Sequence, residues 1–308
     1  MFKLAPFAIQ KKKDMKTTLK RRKTVGLVAP SFFVEKKHCF YNGIKYLESH
    51  DYNVVIGEKV LSRSYNTTCS AKERADEINR MFLDPDIDIV LATDGGCRAI
   101  EILEHLNYDI IRDNPKPFCG FSDITHLLLA IYSKTSNKVV HGMDLINGFG
   151  VSYSLDKEKN IQLFWNNIKQ NEFCVDLRKG TVLKKGNGSG AAIGGWLNAI
   201  VNLLHTPYFP KDSDIILLWE AIDEEPNKIS MMLQVLRASG ILRRVRGMVV
   251  GQLTNCIERE YFDCVPPMEE MILSACEGYS FPIITNAPFG HGEEKQSFTY
   301  GTEIKIEI

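Results

Sequence analysis

Long hydrophobic runs are absent from this sequence, and so is net charge. Apolar stretches such as residues 87–92 fall far short of the about 20 residues that a membrane-spanning helix needs, so no membrane partner is expected. The 308 residues carry a formal charge of zero, which gives no reason to expect a nucleic-acid partner. With 44% hydrophobic and 25% charged residues, the chain has the composition of one large or two ordinary globular domains.

Motifs for metals, nucleotides and disulfides are also missing. The eight cysteines include no C-x-x-C pair and no Cys/His spacing typical of zinc sites. No G-x-x-x-x-G-K-[ST] or G-x-G-x-x-G sequence occurs at a predicted strand-to-helix junction. We therefore expect no metal and no cofactor. A disulfide framework is not expected in a chain of this size and composition, so the cysteines indicate a reducing, cytoplasmic location.

The zero charge is the sum of two unequal parts. Residues 1–23 contain nine of the 38 basic residues and one of the 38 acids, which leaves 29 bases and 37 acids, a net charge of −8, from Thr24 onward. The short apolar piece at residues 4–9 precedes most of the positive charge, the reverse of a secretory signal. We expect residues 1–23 to be a disordered basic extension, or part of an over-called start with translation from Met15.

Residues 24–150 alternate buried strands with helical patterns. Ser70 and Glu73 form a predicted capping box at the start of one helix. Such alternation is typical of a doubly wound α/β domain, whose mostly parallel sheet is covered on both faces and binds ligands at the C-terminal ends of its strands. The predicted strands are 25–31, 52–57, 87–93, 117–121 and 139–141, and the predicted helices are 36–49, 71–82, 98–106 and 123–134.

The pattern changes after residue 150. Residues 151–185 are rich in Lys, Asn and Asp, and we interpret them as a linker. Residues 186–308 then form a smaller predicted α+β domain, which begins with a glycine-rich turn region at 186–195. Its predicted helices are 197–204 and 228–238, and its predicted strands are 215–219, 247–253 and 303–308.

Ser122 is the first candidate for catalytic chemistry. An apolar strand runs directly into Gly120-Phe121-Ser122-Asp123, and a helix follows at once. A sharp strand-to-helix turn exposes a serine hydroxyl beside the unpaired N–H groups of the helix, which can stabilise an oxyanion. Ile124 stands where a G-x-S-x-G motif would have its second glycine, and the alternative is that Ser122 only caps the helix.

A glycine pair ends another predicted strand. Gly95 and Gly96, preceded by Asp94, follow the strand at 87–93 and precede a helix. Glycines at such a junction let the backbone approach a ligand closely, and their N–H groups are candidates for a second oxyanion donor. The pair is equally consistent with a tight turn.

A serine nucleophile needs a base, and the base needs an acid that orients it. Of the seven histidines, His291 lies in a glycine-flanked loop before the last strand, and loops carry catalytic groups disproportionately. Glu220 ends the apolar run at 215–219, where a buried carboxylate requires a partner. The residues thus allow a triad of Ser122, His291 and Glu220, with a solvated strand end as the alternative for Glu220.

Together these segments resemble the LD-carboxypeptidase family of serine peptidases, which includes the microcin-immunity-type hydrolases. The resemblance runs from Val25 to the C-terminus, about nine-tenths of the chain, and leaves out the basic extension. The segments that carry it are Gly95-Gly96, residues 114–118, residues 120–125, His141-Gly142, Gly194-Gly195, residues 206–210, the strand into Glu220, and Gly290-His291.

The resemblance implies a two-domain fold with the active site in the cleft between the domains, and a homodimer. It implies that Ser122 is the nucleophile, that His291 is the general base, and that Glu220 is the carboxylate that orients His291. The oxyanion hole would be formed by backbone N–H groups, those of Gly96 (or Gly95) and Asp123.

Four positions, in three places, depart from the family pattern. Cys97 and Arg98 stand where the family usually has a Tyr-Gly-like pair, Trp196 replaces Asn, and Ala221 replaces Asp. No triad member is affected, so we expect these differences to alter the choice of substrate. Cys97, Arg98 and Trp196 are predicted to line the substrate pocket, with a position in the core as the alternative for Trp196.

The activity that the resemblance implies is metal-independent hydrolysis of an amide bond in a small peptide. The enzyme would release a terminal D-alanine from murein tetrapeptides through an acyl-enzyme, in the cytoplasm, during recycling of wall peptides. Two alternatives remain open. The same residues could hydrolyse peptide or aminoacyl nucleotide antibiotics, or the fold could bind small peptides without catalysis.

Overall fold

The computed structural model describes four stretches of the chain, residues 21–151, 155–170, 173–258 and 264–308. Most of the predicted basic extension, residues 1–20, lies outside the described residues. Its last three residues belong to the fold: Lys23 begins the first strand, and Arg21 and Arg22 form exposed ion pairs with acids of neighbouring loops. The folded part therefore begins slightly earlier than predicted.

The described residues contain twelve strands and eight α-helices. The strands are β1 (Lys23–Val28), β2 (Tyr52–Ile56), β3 (Ile89–Ala92), β4 (Phe118–Gly120), β5 (Val139–His141), β6 (Thr181–Lys184), β7 (Asn187–Trp196), β8 (Ile215–Ile222), β9 (Val245–Thr254), β10 (Ile283–Thr285), β11 (Phe298–Thr299) and β12 (Glu303–Glu307). The α-helices are α1 (Lys37–Ser49), α2 (Ala71–Leu83), α3 (Tyr108–Asp113), α4 (Thr125–Thr135), α5 (Leu155–Gln170), α6 (Leu197–Leu203), α7 (Pro226–Ser239) and α8 (Met268–Ala275). None of the described helices is long and apolar enough to cross a bilayer.

The first sheet has the strand order β11-β5-β4-β3-β1-β2. Its five N-terminal strands are all parallel, and β1 pairs with both β2 and β3. This is a doubly wound order, which places ligand sites at the C-terminal ends of the strands. The five strands predicted for this half are confirmed. The segment 98–106, predicted as an α-helix, instead forms the tighter 3-10 helix Ala99–His105.

Helices cover both faces of the first sheet, as the alternating pattern predicted. α2 and α4 pack on one face and α1 on the other, and each face has its own cluster of buried apolar side chains. The capping box at the start of α2 is confirmed. The Ser70 hydroxyl accepts from the Glu73 N–H, and the Glu73 carboxylate accepts from the Ser70 N–H.

The segment interpreted as a linker contains two elements of the fold. In α5, the apolar residues Ile161, Phe164 and Ile168 join the buried cluster of the first sheet, while Lys159 and Lys169 are exposed. β6 follows in the same segment and pairs with β10 at the edge of the second sheet. The polar composition suggested a linker because it concealed the helical spacing of a few apolar residues.

The second sheet has the order β12-β7-β8-β9-β10-β6. Its four central strands are parallel, and antiparallel strands form both edges, so this half is more parallel than the α+β prediction suggested. The predicted glycine-rich turn region is the strand β7. An added Cβ at Gly188 would lie 1.7 Å from a carbonyl oxygen of β9, and one at Gly194 would lie 1.7 Å from a carbonyl oxygen of β8. These glycines therefore permit close backbone approach rather than turns.

Two features join the halves of the molecule. One cluster of buried side chains continues from α4 through α6 to β8, so the two sheets share a core. In addition, β11 comes from the C-terminal half but pairs antiparallel with β5 of the first sheet, where Phe298 lies opposite His141. The two sheets are therefore connected by packing and by strand pairing.

Truncation of the side chain by which α5 packs into the core, that of Phe164, should destabilise the protein. Phe164 is fully buried, so Phe164→Ala is expected to lower the free energy of unfolding by about 3–5 kcal/mol. Met231→Ala removes an apolar side chain that is 69% exposed on α7, and should change that free energy by less than about 0.5 kcal/mol. Urea unfolding followed by circular dichroism measures both. Equally small effects would contradict the assignment of α5 to the core.

Candidate active site

Ser122 lies just after β4, at the sharp turn into α4. Its backbone φ is 61°, in the left-handed region that residues other than glycine rarely occupy. Strained backbone of this kind clusters at catalytic positions, because it turns a side chain away from the sheet edge. The alternative of a helix cap does not hold, because the N-cap positions of this turn, Phe121 and Ile124, carry no side-chain cap and the Ser122 hydroxyl contacts a histidine.

His291 reaches Ser122 from the loop between β10 and β11. Its Nε2 atom lies 2.8 Å from Ser122 Oγ, and its Nδ1 atom lies 2.7 Å from Glu220 Oε2. In a serine triad with this arrangement, the serine hydroxyl donates to Nε2 of the histidine, and the Nδ1–H group of the histidine donates to the carboxylate. The structure thus brings the three predicted residues into one hydrogen-bonded line.

Glu220 is fully buried in β8, opposite Trp196 of β7. The burial excludes a solvated strand end, and it makes a partner necessary because a buried, unpaired carboxylate is costly. Gly290 allows His291 to be that partner. Its φ is 109°, and an added Cβ would lie 2.9 Å from the Glu220 side chain, so only glycine lets the loop pass this close.

The glycine pair lies beside the nucleophile. A Cβ added at Gly95 would lie 3.0 Å from Ser122 Oγ. The Gly95 N–H group is already engaged, because it donates to the Asp94 carboxylate at 2.8 Å. The N–H groups of Gly96 and Asp123 have no protein acceptor in the described part of the chain. These two groups, rather than that of Gly95, are available to a bound oxyanion.

The Asp123 side chain stabilises the turn that contains Ser122. Its carboxylate accepts from the Ser31 hydroxyl and from the Ala99 N–H at 2.7 Å, and the His126 ring lies 3.0 Å away. Burial raises the pKa of Asp123, but these hydrogen bonds outweigh burial and hold the pKa below its ordinary value. The ionised carboxylate ties the loops after β1 and β3 to the turn that carries Ser122.

A cavity of about 240 Å³ opens beside Ser122 and His291. Asn147 lies in the π-helix Leu145–Phe149, which follows β5. Its Nδ2 group donates to two carboxylates of the cavity wall, at 2.7 and 3.0 Å. The sequence contained a signal for these residues, because most polar residues of the cavity wall follow the C-terminal ends of strands, where ligand sites form in parallel sheets. The polar side chains of the wall that the sequence analysis did not select are Asp94, Asp144, Asn147 and Lys295.

The two carboxyl groups of the wall do not ionise independently. Burial, together with the neighbouring Asp94, raises the pKa of Asp144 to about 8, and burial raises the pKa of Asp94 as well. Burial thus favours the protonated form of both carboxyl groups, and the ionisation of one opposes the ionisation of the other. The described residues contain no group of three or more His, Cys, Asp or Glu side chains that could hold a metal ion.

Comparison with known sequences agrees with this geometry. Residues 25–142 match the N-terminal domain of LD-carboxypeptidases (peptidase S66), and residues 189–306 match the C-terminal domain. The chain belongs to the LD-carboxypeptidase family. The family resemblance stated from the sequence is thereby confirmed.

Relatives of the chain share its full two-domain extent. A probable murein peptide carboxypeptidase of Bacillus subtilis is 30% identical over 280 residues, which cover 89% of this chain and 85% of the relative. The microcin C7 self-immunity protein MccF of Escherichia coli is 24% identical, with 92% and 90% covered. A solved structure of MccF in complex with aspartyl sulfamoyl adenosine matches with a TM-score of 0.85, at 22% identity and 94% coverage of each chain. The two-domain α/β fold is the fold of this family.

Three of the residues that depart from the family pattern, Cys97, Arg98 and Trp196, contact side chains that do not line the cavity. The Arg98 guanidinium is held by a glutamate at 2.6 Å and by Asn66 at 3.1 Å, and the Cys97 sulfur lies 3.6 Å from the same Asn66. Trp196 is half-buried and packs edge-to-face on a histidine of α4. None of the three is among the residues that line the cavity beside Ser122, so their contact with a substrate stays a prediction. A departure in sequence does not reveal the direction of a side chain.

His141, at the end of β5, is buried close to His291. Its ring stacks on Phe298 at 4.8 Å, and neither ring nitrogen has a hydrogen-bond partner among the described residues. Burial, with a smaller contribution from the charge of His291, lowers the pKa of His141 to about 3. The native state therefore keeps this ring neutral at pH values where the unfolded chain protonates it.

The stability of the protein should fall in acid partly because of His141. Since the unfolded state binds the proton below about pH 6.5 and the native state only near pH 3, stability is lost as the pH falls through this window. His141→Phe keeps a stacked ring but cannot titrate. Between pH 6.5 and 4.5 the wild type should lose about 2 kcal/mol more than this variant, as measured by urea unfolding. His105→Phe, at an exposed histidine, is the control; parallel curves for all three proteins would contradict the assignment.

Proposed function

We propose that the protein is a serine carboxypeptidase that releases a terminal D-alanine from murein tetrapeptides. The observation that carries the proposal is the hydrogen-bonded line from Ser122 through His291 to the buried carboxylate of Glu220. Membership of the LD-carboxypeptidase family supports the reaction. Relatives named as a probable murein peptide carboxypeptidase and a murein tetrapeptide carboxypeptidase support the substrate.

The geometry supports acyl transfer in two steps. Ser122 Oγ attacks the carbonyl carbon of the scissile amide while its proton passes to His291 Nε2. The imidazolium then gives this proton to the leaving nitrogen, the C–N bond breaks, and an acyl-enzyme remains. A water molecule, deprotonated by His291, attacks the ester and restores the serine. Glu220 holds the His291 ring in orientation and stabilises its charged form in both steps.

The negative charge that develops on the carbonyl oxygen requires donors that are already in place. The N–H groups of Gly96 and Asp123 are the candidates, and one such donor is typically worth about 2.7–4 kcal/mol of transition-state stabilisation. Gly95 contributes by lacking a side chain that would crowd the Ser122 hydroxyl. The bonded Asp123 carboxylate contributes by fixing the backbone from which one donor projects.

Hydrolysis of aminoacyl nucleotide antibiotics is the second candidate. It would use the same triad, and it is favoured by the fold match to MccF, which has been solved with aspartyl sulfamoyl adenosine. A peptide-binding protein without catalysis fits less well. Such a protein would need neither the strained backbone of Ser122 nor a carboxylate buried behind His291.

Replacing the nucleophile should abolish turnover without unfolding the protein. Ser122→Ala is expected to lower kcat on an L,D-tetrapeptide by at least about a thousandfold, because no acyl-enzyme can form. Release of D-alanine is followed by mass spectrometry, with aspartyl sulfamoyl adenosine as the second substrate. The control, Ser62→Ala, changes an exposed serine and should keep full activity. Full activity in Ser122→Ala would overturn the mechanism, and cleavage of neither substrate by the wild type would overturn the reaction.

We further propose that the enzyme acts in the cytoplasm as a homodimer. The cysteine spacing fits a reducing compartment, as does recycling of wall peptides, and the family resemblance supports the dimer. Sedimentation velocity should show a species of twice the 34.9 kDa chain mass. A single 34.9 kDa species would contradict the dimer.

A further inference from the structure

Lys295 has no role in the triad, yet it lines the same cavity. Apart from His291, it is the only basic side chain among the described residues of the cavity wall. It follows His291 by four residues on the same loop. Its Nζ atom lies 5.3 Å from the ring centroid of Phe121, the residue before the nucleophile. Lys295 and Ser122 thus face the same cavity.

The amine of Lys295 has no ion-pair partner. No carboxylate oxygen of the described residues lies within 4.0 Å of it, whereas the nearby Lys179 contacts Glu294 at 2.5 Å. Lys295 is half-buried and lies over the Phe121 ring, but a cation withdrawn from water without an anionic partner is costly. Burial lowers the pKa of Lys295, while the charges of Asp144 and Glu220 act to keep the amine protonated. The side chain is therefore suited to bind an anionic group of a ligand.

The acids of the cavity do not supply that partner. Asp94 accepts from the Gly95 N–H and from Asn147, and Asp144 accepts from the N–H and the side-chain amide of Asn147. Their hydrogen bonds are thus directed at backbone and amide groups. Burial raises the pKa of both carboxyl groups, so the pair weakens the attraction of Lys295 for an anion less than two fully ionised carboxylates would.

We propose that Lys295 binds the free carboxylate of the residue that the enzyme removes. This inference rests on the proposed carboxypeptidase function and deepens it, because it restricts the substrates to peptides with a free C-terminus. In such a peptide the terminal carboxylate is separated from the leaving nitrogen by one carbon atom. A cavity of about 240 Å³ that contains both Ser122 and Lys295 can therefore receive the attacked carbonyl and the carboxylate together. The contact is a charge-assisted hydrogen bond.

Two peptides that differ only at the C-terminus test the proposal. One is the L,D-tetrapeptide with a free terminal D-alanine, and the other is its carboxamide. The wild type should cleave the acid with a kcat/KM about 10- to 100-fold above that of the amide, the range expected for one hydrogen bond between charged groups. Lys295→Met should abolish this preference, mainly by raising KM for the peptide acid, and should lower cleavage of the peptide amide much less. Lys295→Arg should keep part of the preference.

The controls separate a binding role from a structural one. Lys179→Met removes an exposed lysine of the neighbouring surface and should keep the full preference for the acid. Lys295→Gln replaces Lys295→Met if the latter does not fold, as judged by circular dichroism. An equal loss of activity on both peptides, or an unchanged preference for the acid, would overturn the proposal.

A binding measurement keeps this test independent of turnover. By calorimetry, Ser122→Ala should bind the acid more tightly than the amide, and the double variant with Lys295→Met should bind the two alike. If the wild type cleaves neither peptide, the proposed function fails while this comparison still decides the role of Lys295. Equal or absent binding of acid and amide by Ser122→Ala would overturn that role.

Discussion

A carboxylate buried inside a central strand is the constraint on which the active site depends. Glu220 has no access to water, and leaving such a charge unpaired would cost about 3–5 kcal/mol, a large part of a typical folding free energy. His291 therefore has to lie against β8, and Gly290 has to precede it to let the loop pass. Once the ring is held on one side by Glu220, its other nitrogen faces Ser122. The requirement to pair a buried charge thus also positions the proposed general base.

Ser122 belongs to the first sheet, and its position is determined by different contacts. Its turn has a strained backbone, and the Asp123 carboxylate holds that turn to the loops after β1 and β3. The cavity wall adds residues from the ends of β3 and β5 and from the His291 loop. The site therefore forms where the C-terminal edge of one parallel sheet meets a buried strand of another. Neither half of the molecule contains all the groups that acyl transfer requires.

The sequence predicted the first sheet and selected Ser122, His291 and Glu220 as candidates because each has a local signature. Buried strands alternate with helices, Ser122 follows a strand directly, and Glu220 ends an apolar run. β7 and α5 were missed because glycines that allow close strand packing look like turn residues, and because a polar surface hides three spaced apolar residues. The cavity wall could not be predicted. Whether Asp144 or Lys295 faces Ser122 depends on how two loops turn in space, which no periodicity encodes.

The pairing of β11 with β5 has a mechanical consequence. The loop that carries His291 is fixed at one end to the second sheet through β10 and at the other end to the first sheet through β11. A hinge motion that separated the sheets would have to break this pairing and would pull the base away from the serine. While this pairing holds, a substrate has to reach Ser122 without separation of the two halves. The same pairing makes it difficult to replace one half of the molecule by the corresponding half of a relative. The first sheet would lose its strand β11, or the second half would lose the loop that carries His291.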